Sequence, residues 1–129
     1  MKLVTGTKIY KDTRQLLDEI LDTTVNFPNS FKHTIGSKMQ DYTIHALNDI
    51  AGAYIKVDLT ERINHLSDFQ MRLETLRTMI RVAGERKWIS YKKYGQFITL
   101  TTRIGKQATA WKNALTKASA QQQAPEGQG

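Results

Sequence analysis

The sequence predicts an all-α protein, an antiparallel bundle of four helices joined by short connections. Apolar residues recur at intervals of three and four along four stretches, the spacing of one face of an α-helix. Only two prolines interrupt the chain, Pro28 and Pro125, and no alternating β-pattern competes with the helical one. The length of 129 residues is typical of a single domain. The chain contains no cysteine, which excludes disulfides and thiol nucleophiles.

The first two helices are separated by Pro28. A helix over about 9–26 is predicted to stop there, because the residue before a proline is pushed out of the helical backbone region. The second helix is predicted over 30–55, with Ser30 as its N-cap. Its apolar face comprises Ile35, Met39, Tyr42, Ala46, Ile50 and Ala53.

The third helix is predicted over 59–88. Asp58 and Glu61 form a D-x-x-E capping pattern at its start. Leu66, Phe69, Leu73, Leu76, Ile80 and Ala83 then step by three and four residues without a break. Such a heptad seam is typical of helices packed in bundles.

The fourth helix is predicted over 91–118, with Ser90 as its N-cap. Phe97, Leu100, Ile104, Ala108, Trp111, Leu115 and Ala118 share one face of it. The remainder, 119–129, is polar and glycine-containing, which predicts a disordered tail.

The charge of the chain is strongly asymmetric along its length. The net charge is +7, yet residues 1–64 sum to zero and residues 65–129 carry the whole excess. No carboxylate occurs from Arg86 to Pro125, although eight lysines and arginines fall there. A segregated positive field attracts polyanions, so nucleic acid is the favoured partner and a merely solubilising surface the alternative.

The basic residues project away from the predicted core on two helices. At about 100° per residue, the cations of the fourth helix form one stripe that has no acid in its own helix. On the third helix, Arg77 and Arg81 lie near Glu74 and Glu85, with which they can pair. The candidate contacts with nucleic acid or a polymerase are Arg72, Arg77, Arg81, Arg86, Lys87, Lys92, Lys93, Arg103, Lys106 and Lys117.

The segment RKWISYKKYG, residues 86–95, admits two interpretations. Its aromatic residues could stack on bases, as in proteins that bind single strands. We favour the other interpretation, in which Trp88 and Tyr91 close the end of the bundle at a helix junction. Trp111 lies on the core face and is predicted to be a packing residue.

Catalytic and metal-binding patterns are missing from the sequence. His33, His45 and His65 are scattered, and Glu61 and His65 are four residues apart rather than in a Glu-x-x-His motif. No glycine-rich phosphate loop or nucleophile motif occurs. We therefore expect no enzyme activity, no metal and no cofactor. Without an apolar leader or membrane span, the expected location is the cytoplasm.

Two stretches resemble a known family. FPNSFKHTIG, residues 27–36, and RLETLRTMIRVAGERKWISYKKYGQFITLTTRIGKQATAW, residues 72–111, resemble Avd proteins, the accessory variability determinants of diversity-generating retroelements. The resemblance spans roughly residues 9–115 and rests on the order and spacing of features that are individually weak. The wider four-helix-bundle superfamily also contains proteins encoded in intervening sequences of ribosomal RNA genes.

The resemblance implies a specific biological role. Avd proteins are four-helix bundles that form basic, barrel-like homopentamers, bind the element's reverse transcriptase and its template RNA, and support mutagenic cDNA synthesis without catalysing it. Gly105 and Trp111 would then be packing residues of the fourth helix, and the cations above would contact RNA or polymerase. The alternative is an interaction protein of the ribosomal RNA intervening-sequence type, docking on ribosomal RNA or on a protein.

Overall fold

The structure, a computed structural model, describes residues 3–122 and is all-α. No strand occurs in that range. A short 3₁₀ turn, Val4–Gly6, precedes the first long helix. The four long helices are α1 (Lys8–Thr24), α2 (Ser37–Ile55), α3 (Leu59–Glu85) and α4 (Tyr91–Gln122). The prediction of an all-α protein is confirmed.

The apolar faces of the four helices meet in a helical bundle. Helix α3 packs against α2 and α4, and α1 contacts the same two helices. The centre is filled by side chains with essentially no exposure, among them Leu16, Ile20, Phe69 and Phe97. All six residues of the predicted α3 seam are buried, which confirms the heptad pattern. Removing this apolar surface from water is the main force that holds the helices together.

The connection between α1 and α2 differs from its prediction. Pro28, not Ser30, precedes the next helical turn, Asn29–Phe31, and no side chain caps it. The chain then widens into a π-helical turn, Lys32–Gly36, before α2 begins. Ser30 lies inside the first of these turns, so the predicted N-cap is wrong. Proline is tolerated just before this turn, because its backbone nitrogen has no N–H that would need a partner at a helix start.

The start of α3 follows its prediction. The backbone N–H of Glu61 donates to Oδ2 of Asp58 at 3.2 Å. Asp58 has extended backbone angles and is the N-cap residue of α3. The side chain satisfies one of the amide groups that a helix start leaves without a partner.

The junction between α3 and α4 is a tight Schellman turn. Helix α3 ends at Glu85, three residues before its predicted end. The N–H of Trp88 donates to the carbonyl of Ala83 at 2.9 Å, and the N–H of Lys87 donates to that of Gly84 at 3.1 Å. This turn needs one residue in the left-handed region, and Lys87 occupies it with a φ of 62°.

Helix α4 begins as predicted and ends later. The N–H of Lys93 donates to Oγ of Ser90 at 3.0 Å, which confirms Ser90 as its cap. The helix continues to Gln122, so the prediction of disorder is wrong for 119–122. Alanine and glutamine are good helix formers, so the helix extends past its last apolar core position. The rest of the predicted tail, 123–129, lies outside the described residues.

No helix within residues 3–122 combines the length and the apolar character that crossing a lipid bilayer requires.

Candidate nucleic-acid interface

The predicted cationic stripe of α4 divides into exposed and paired residues. Lys92, Lys106 and Lys117 are exposed, and none of them forms an ion pair within the described part of the chain. Arg103 instead contacts Asp12 of α1 through two bonds, Nε to Oδ2 at 3.2 Å and Nη2 to Oδ1 at 3.4 Å. The sequence predicted that the stripe has no acid in its own helix, and the partner of Arg103 comes from a different helix, α1. Its central arginine is therefore already neutralised.

Asp12 is the centre of a polar network between α1 and α4. Its carboxylate also accepts a hydrogen bond from Nε2 of Gln107 at 2.7 Å and from Nζ of Lys8 at 3.4 Å. Burial raises the pKa of this carboxyl, but hydrogen bonds from Gln107 and Arg103 and the charge of Arg103 outweigh burial. The pKa of Asp12 is consequently below its ordinary value of 3.8. The ionised carboxylate of Asp12 thus holds α1 against α4.

Asp12→Asn should lower the free energy of unfolding at neutral pH by about 1–2 kcal/mol, a modest figure because Arg103 is 44% exposed and screened by water. A lowered folded-state pKa contributes stability above the unfolded value of 3.8, and that contribution is lost as the pH falls through the folded pKa. The free energy of unfolding of the variant should therefore fall less than that of the wild type as the pH drops below 3.8. Urea unfolding followed by circular dichroism at several pH values measures this difference.

Asp18→Asn is the matched control, because Asp18 lies on the same helix in an exposed pair with Arg14. Exposed pairs contribute little, so its unfolding free energy should stay within about 0.5 kcal/mol of the wild type. Equal losses in the two variants would contradict a special role for Asp12.

The three candidate arginines of α3 lie in two different environments. Arg72 bonds Oδ2 of Asp49 on α2, and Nδ1 of His65 is 3.6 Å from the other oxygen of that carboxylate. Arg77 and Arg81 form no ion pair with Glu74 or Glu85 in the described chain, contrary to the expected surface pairs. Arg72 thus joins two helices, whereas Arg77 and Arg81 have no carboxylate partner within residues 3–122.

A polar groove of about 580 Å³ separates the exposed faces of α3 and α4. Arg77 of α3 and Lys106 of α4 both line it. The Nε of Arg77 is buried and has no hydrogen-bond partner within residues 3–122. A buried donor of this kind is stabilised when an acceptor reaches it. Glu74 also lines the groove, which therefore offers two cations beside one carboxylate, with the Nε–H of Arg77 as an unused donor for an acceptor.

The uncharged residues of this groove were not predicted as site residues. They include Gln70 on α3 and Thr102, Thr109 and Asn113 on α4. On α4 they are spaced three or four residues apart with Lys106, and on α3 Gln70 lies seven residues, two helical turns, before Arg77. That second, polar periodicity is the signal that could have identified them.

The three cations of the junction differ in their contacts: one lies over aromatic rings, one forms an ion pair and one is exposed to solvent. The guanidinium of Arg86 lies 5.7 Å from the ring centroids of Phe31 and Trp88. Lys93 pairs with Glu19 of α1 at 3.5 Å and lies over the ring of Phe97. Lys87 is exposed on the turn itself. Lys93 thus belongs to the α1–α4 contact and adds little to an open surface.

The two aromatic residues of the junction have opposite environments. Trp88 is half-buried, with its ring centroid 4.7 Å from that of Phe31 and 5.1 Å from that of Phe27. It closes the end of the bundle, as predicted. Tyr91 is 93% exposed, so the same prediction is wrong for this residue. Trp111 packs against the core, which confirms its predicted role.

Seven of the ten candidate cations have no carboxylate partner within residues 3–122. They lie on α3, on the junction and on α4, which are consecutive in the chain and in contact. The seven are Arg77, Arg81, Arg86, Lys87, Lys92, Lys106 and Lys117. Among the described residues, no three histidine, aspartate or glutamate side chains come together to hold a metal ion.

These features define a helical bundle with a basic surface on its last two helices. The chain belongs to the bAvd-like family, whose family model matches residues 7–115. The match takes in α1, α2, α3 and most of α4 and confirms the resemblance to Avd proteins. This is a family of non-catalytic accessory proteins. Comparison with curated proteins gave no match.

Proposed function

We propose that this protein is an accessory subunit of a diversity-generating retroelement. In the cytoplasm it binds the element's reverse transcriptase and template RNA, and it supports mutagenic cDNA synthesis without catalysing it. Membership of the bAvd-like family supports the accessory role. The observation that supports RNA as a partner is the set of seven cations on α3, the junction and α4 that have no carboxylate partner within residues 3–122. Cations spaced along rigid helices suit a phosphate backbone, because binding releases its condensed counterions.

The proposed assembly is an antiparallel four-helix bundle that forms a ring-like homopentamer. Along α1, Asp12 meets Arg103 and the later residue Glu19 meets the earlier Lys93, which supports opposite directions for α1 and α4. A pentamer would gather five protomers of net charge +7 into one particle. Such a charge favours a polyanionic partner, because self-repulsion is relieved when phosphates bind.

The test is binding of a structured RNA, measured by fluorescence anisotropy at several salt concentrations, with the oligomer mass fixed by light scattering. We expect log affinity to fall linearly with log salt, with a slope of about −0.7 to −0.9 for each phosphate contacted. A mass of five 14.7 kDa protomers is expected.

Absence of RNA binding at low salt would contradict the proposal for RNA. If the protein then still co-purified with a reverse transcriptase, the basic surface would serve a protein partner alone. That outcome corresponds to the alternative of a bundle that docks on a protein surface.

A further inference from the structure

A cleft of about 750 Å³ lies at the α3–α4 junction, separate from the polar groove. Its volume falls in the range of sites that hold a ligand of nucleotide size. The residues that carry the inference are Arg81 and Glu85 at the end of α3, Lys87 and Trp88 on the turn, and Tyr91 and Tyr94 at the start of α4.

The aromatic part of the cleft combines fixed rings with an exposed one. Trp88 is held in place by Phe27 and Phe31. Tyr94 rests on the backbone of α3 at Gly84, where an added Cβ would lie only 2.7 Å from its Cδ2 atom. Tyr91 also lines the cleft but is 93% exposed. Its ring is thus available to a flat apolar partner.

The polar part of the cleft has a positive balance. Arg81 and Lys87 are exposed and have no acid partner within residues 3–122, and Glu85 is the acid beside them. Two cations and one carboxylate around aromatic rings complement a nucleotide, which has a π-face, an anionic phosphate and hydrogen-bond donors on its base. A folded duplex offers no such π-face at its side, because its bases are stacked inside.

Lys87 is an unusual residue for its backbone position. The left-handed position of a Schellman turn is usually occupied by glycine, because a side chain adds steric strain there. Lysine at a φ of 62° accepts that strain and places a cation at the rim of the cleft. Strained residues that persist in a fold are often retained for function.

We propose that this cleft binds one unpaired nucleotide of RNA. The base stacks on Tyr91, the phosphate meets Arg81 and Lys87, and Glu85 accepts a hydrogen bond from the base. The inference rests on the proposed RNA-binding function and adds that the RNA must present an unpaired base. RNA binding through the helical cations alone would need no such base.

The test compares Tyr91→Ala with its matched control Tyr91→Phe, which keeps the ring. The probes are a labelled single-stranded RNA of about eight nucleotides and a duplex of the same sequence, measured by anisotropy at about 0.1 M salt. Tyr91→Ala should weaken single-strand binding roughly 10-fold, since one base loses its stacking partner. Duplex binding should not change, and Tyr91→Phe should bind both probes like the wild type.

Lys87→Gly separates binding from folding. Glycine suits the left-handed backbone, so this variant should unfold at a higher urea concentration than the wild type. It should nevertheless bind the single strand roughly 5-fold more weakly, because a phosphate contact is lost. A more stable protein that binds less tightly cannot be explained by misfolding.

Three outcomes would overturn the inference. If the wild type binds the single strand while Tyr91→Ala and Lys87→Gly bind it equally well, the cleft is not the site, although RNA binding stands. If the wild type binds neither probe, the proposed function fails together with the cleft. If Tyr91→Ala changes the mass in light scattering, Tyr91 is a contact between copies of the chain.

Discussion

Replacing Lys92, Lys106 and Lys117 together by glutamine should weaken RNA binding by roughly two orders of magnitude at about 0.1 M salt. These are the exposed lysines of the predicted α4 stripe, and none has an acid partner in the described chain. Each phosphate contact contributes through the release of counterions, so three lost contacts also flatten the salt dependence. The slope of log affinity against log salt should fall by about 2–3. Anisotropy titrations across a salt series measure both quantities.

The matched control replaces Lys11, Lys38 and Lys56 by glutamine. These lysines are also exposed and lie in the neutral first half of the chain, so both triple variants change the net charge equally. The control should keep most of the affinity and the slope of the wild type. Equal losses in the two variants would show that only total charge matters. An unchanged affinity of the α4 variant would move the RNA contact to another surface.

Arg103 is left out of this variant because the structure gives it a different role. It belongs to the stripe by helical position, but its guanidinium is committed to Asp12. Changing Arg103 would disturb the contact between α1 and α4. A loss of RNA affinity could then not be distinguished from a loss of folding stability. Lys92, Lys106 and Lys117 can be changed without breaking an ion pair within residues 3–122.

The helices and two of their caps could be predicted because they depend on neighbours in the sequence. The α3 seam reaches the core as its heptad spacing requires, and Asp58 and Ser90 cap the amides three residues ahead of them. Ser30 fails as a cap because Pro28 begins the turn earlier. The end of α4 was missed because helix propensity continues past the last apolar position.

The distribution of the cations could be predicted, but not which of them are free. Asp12 and Arg103 are separated by 91 residues, and Asp49 and Arg72 by 23. Such pairs depend on which helices touch and how each is rotated, and no local pattern encodes either. The same holds for the groove at Arg77 and the junction cleft, since both form only where α3 meets α4.

The junction segment thus has two faces with separate roles. Trp88 faces the turn before α2, where it stacks on Phe31 and contacts Phe27 at a tilted angle, while Tyr91 faces water. The guanidinium of Arg86 lies over the rings of both Phe31 and Trp88 and forms a cation–π contact with each. Both readings of RKWISYKKYG therefore have a place: Trp88 closes the bundle, and Tyr91 remains available to a ligand.

Trp88→Ala should consequently lower the free energy of unfolding by about 3 kcal/mol, near the low end for aromatic truncation because the ring is only half-buried. For a chain of this length the midpoint of thermal unfolding should fall by roughly 10 °C. Trp88→Phe keeps part of the stack and should lose less stability, and Tyr91→Ala should lose almost none because the residue is 93% exposed. Thermal and urea unfolding at one protein concentration measure all three, since assembly makes stability concentration-dependent. Equal stability of Trp88→Ala and Tyr91→Ala would contradict the division of the junction into a structural ring and an exposed one.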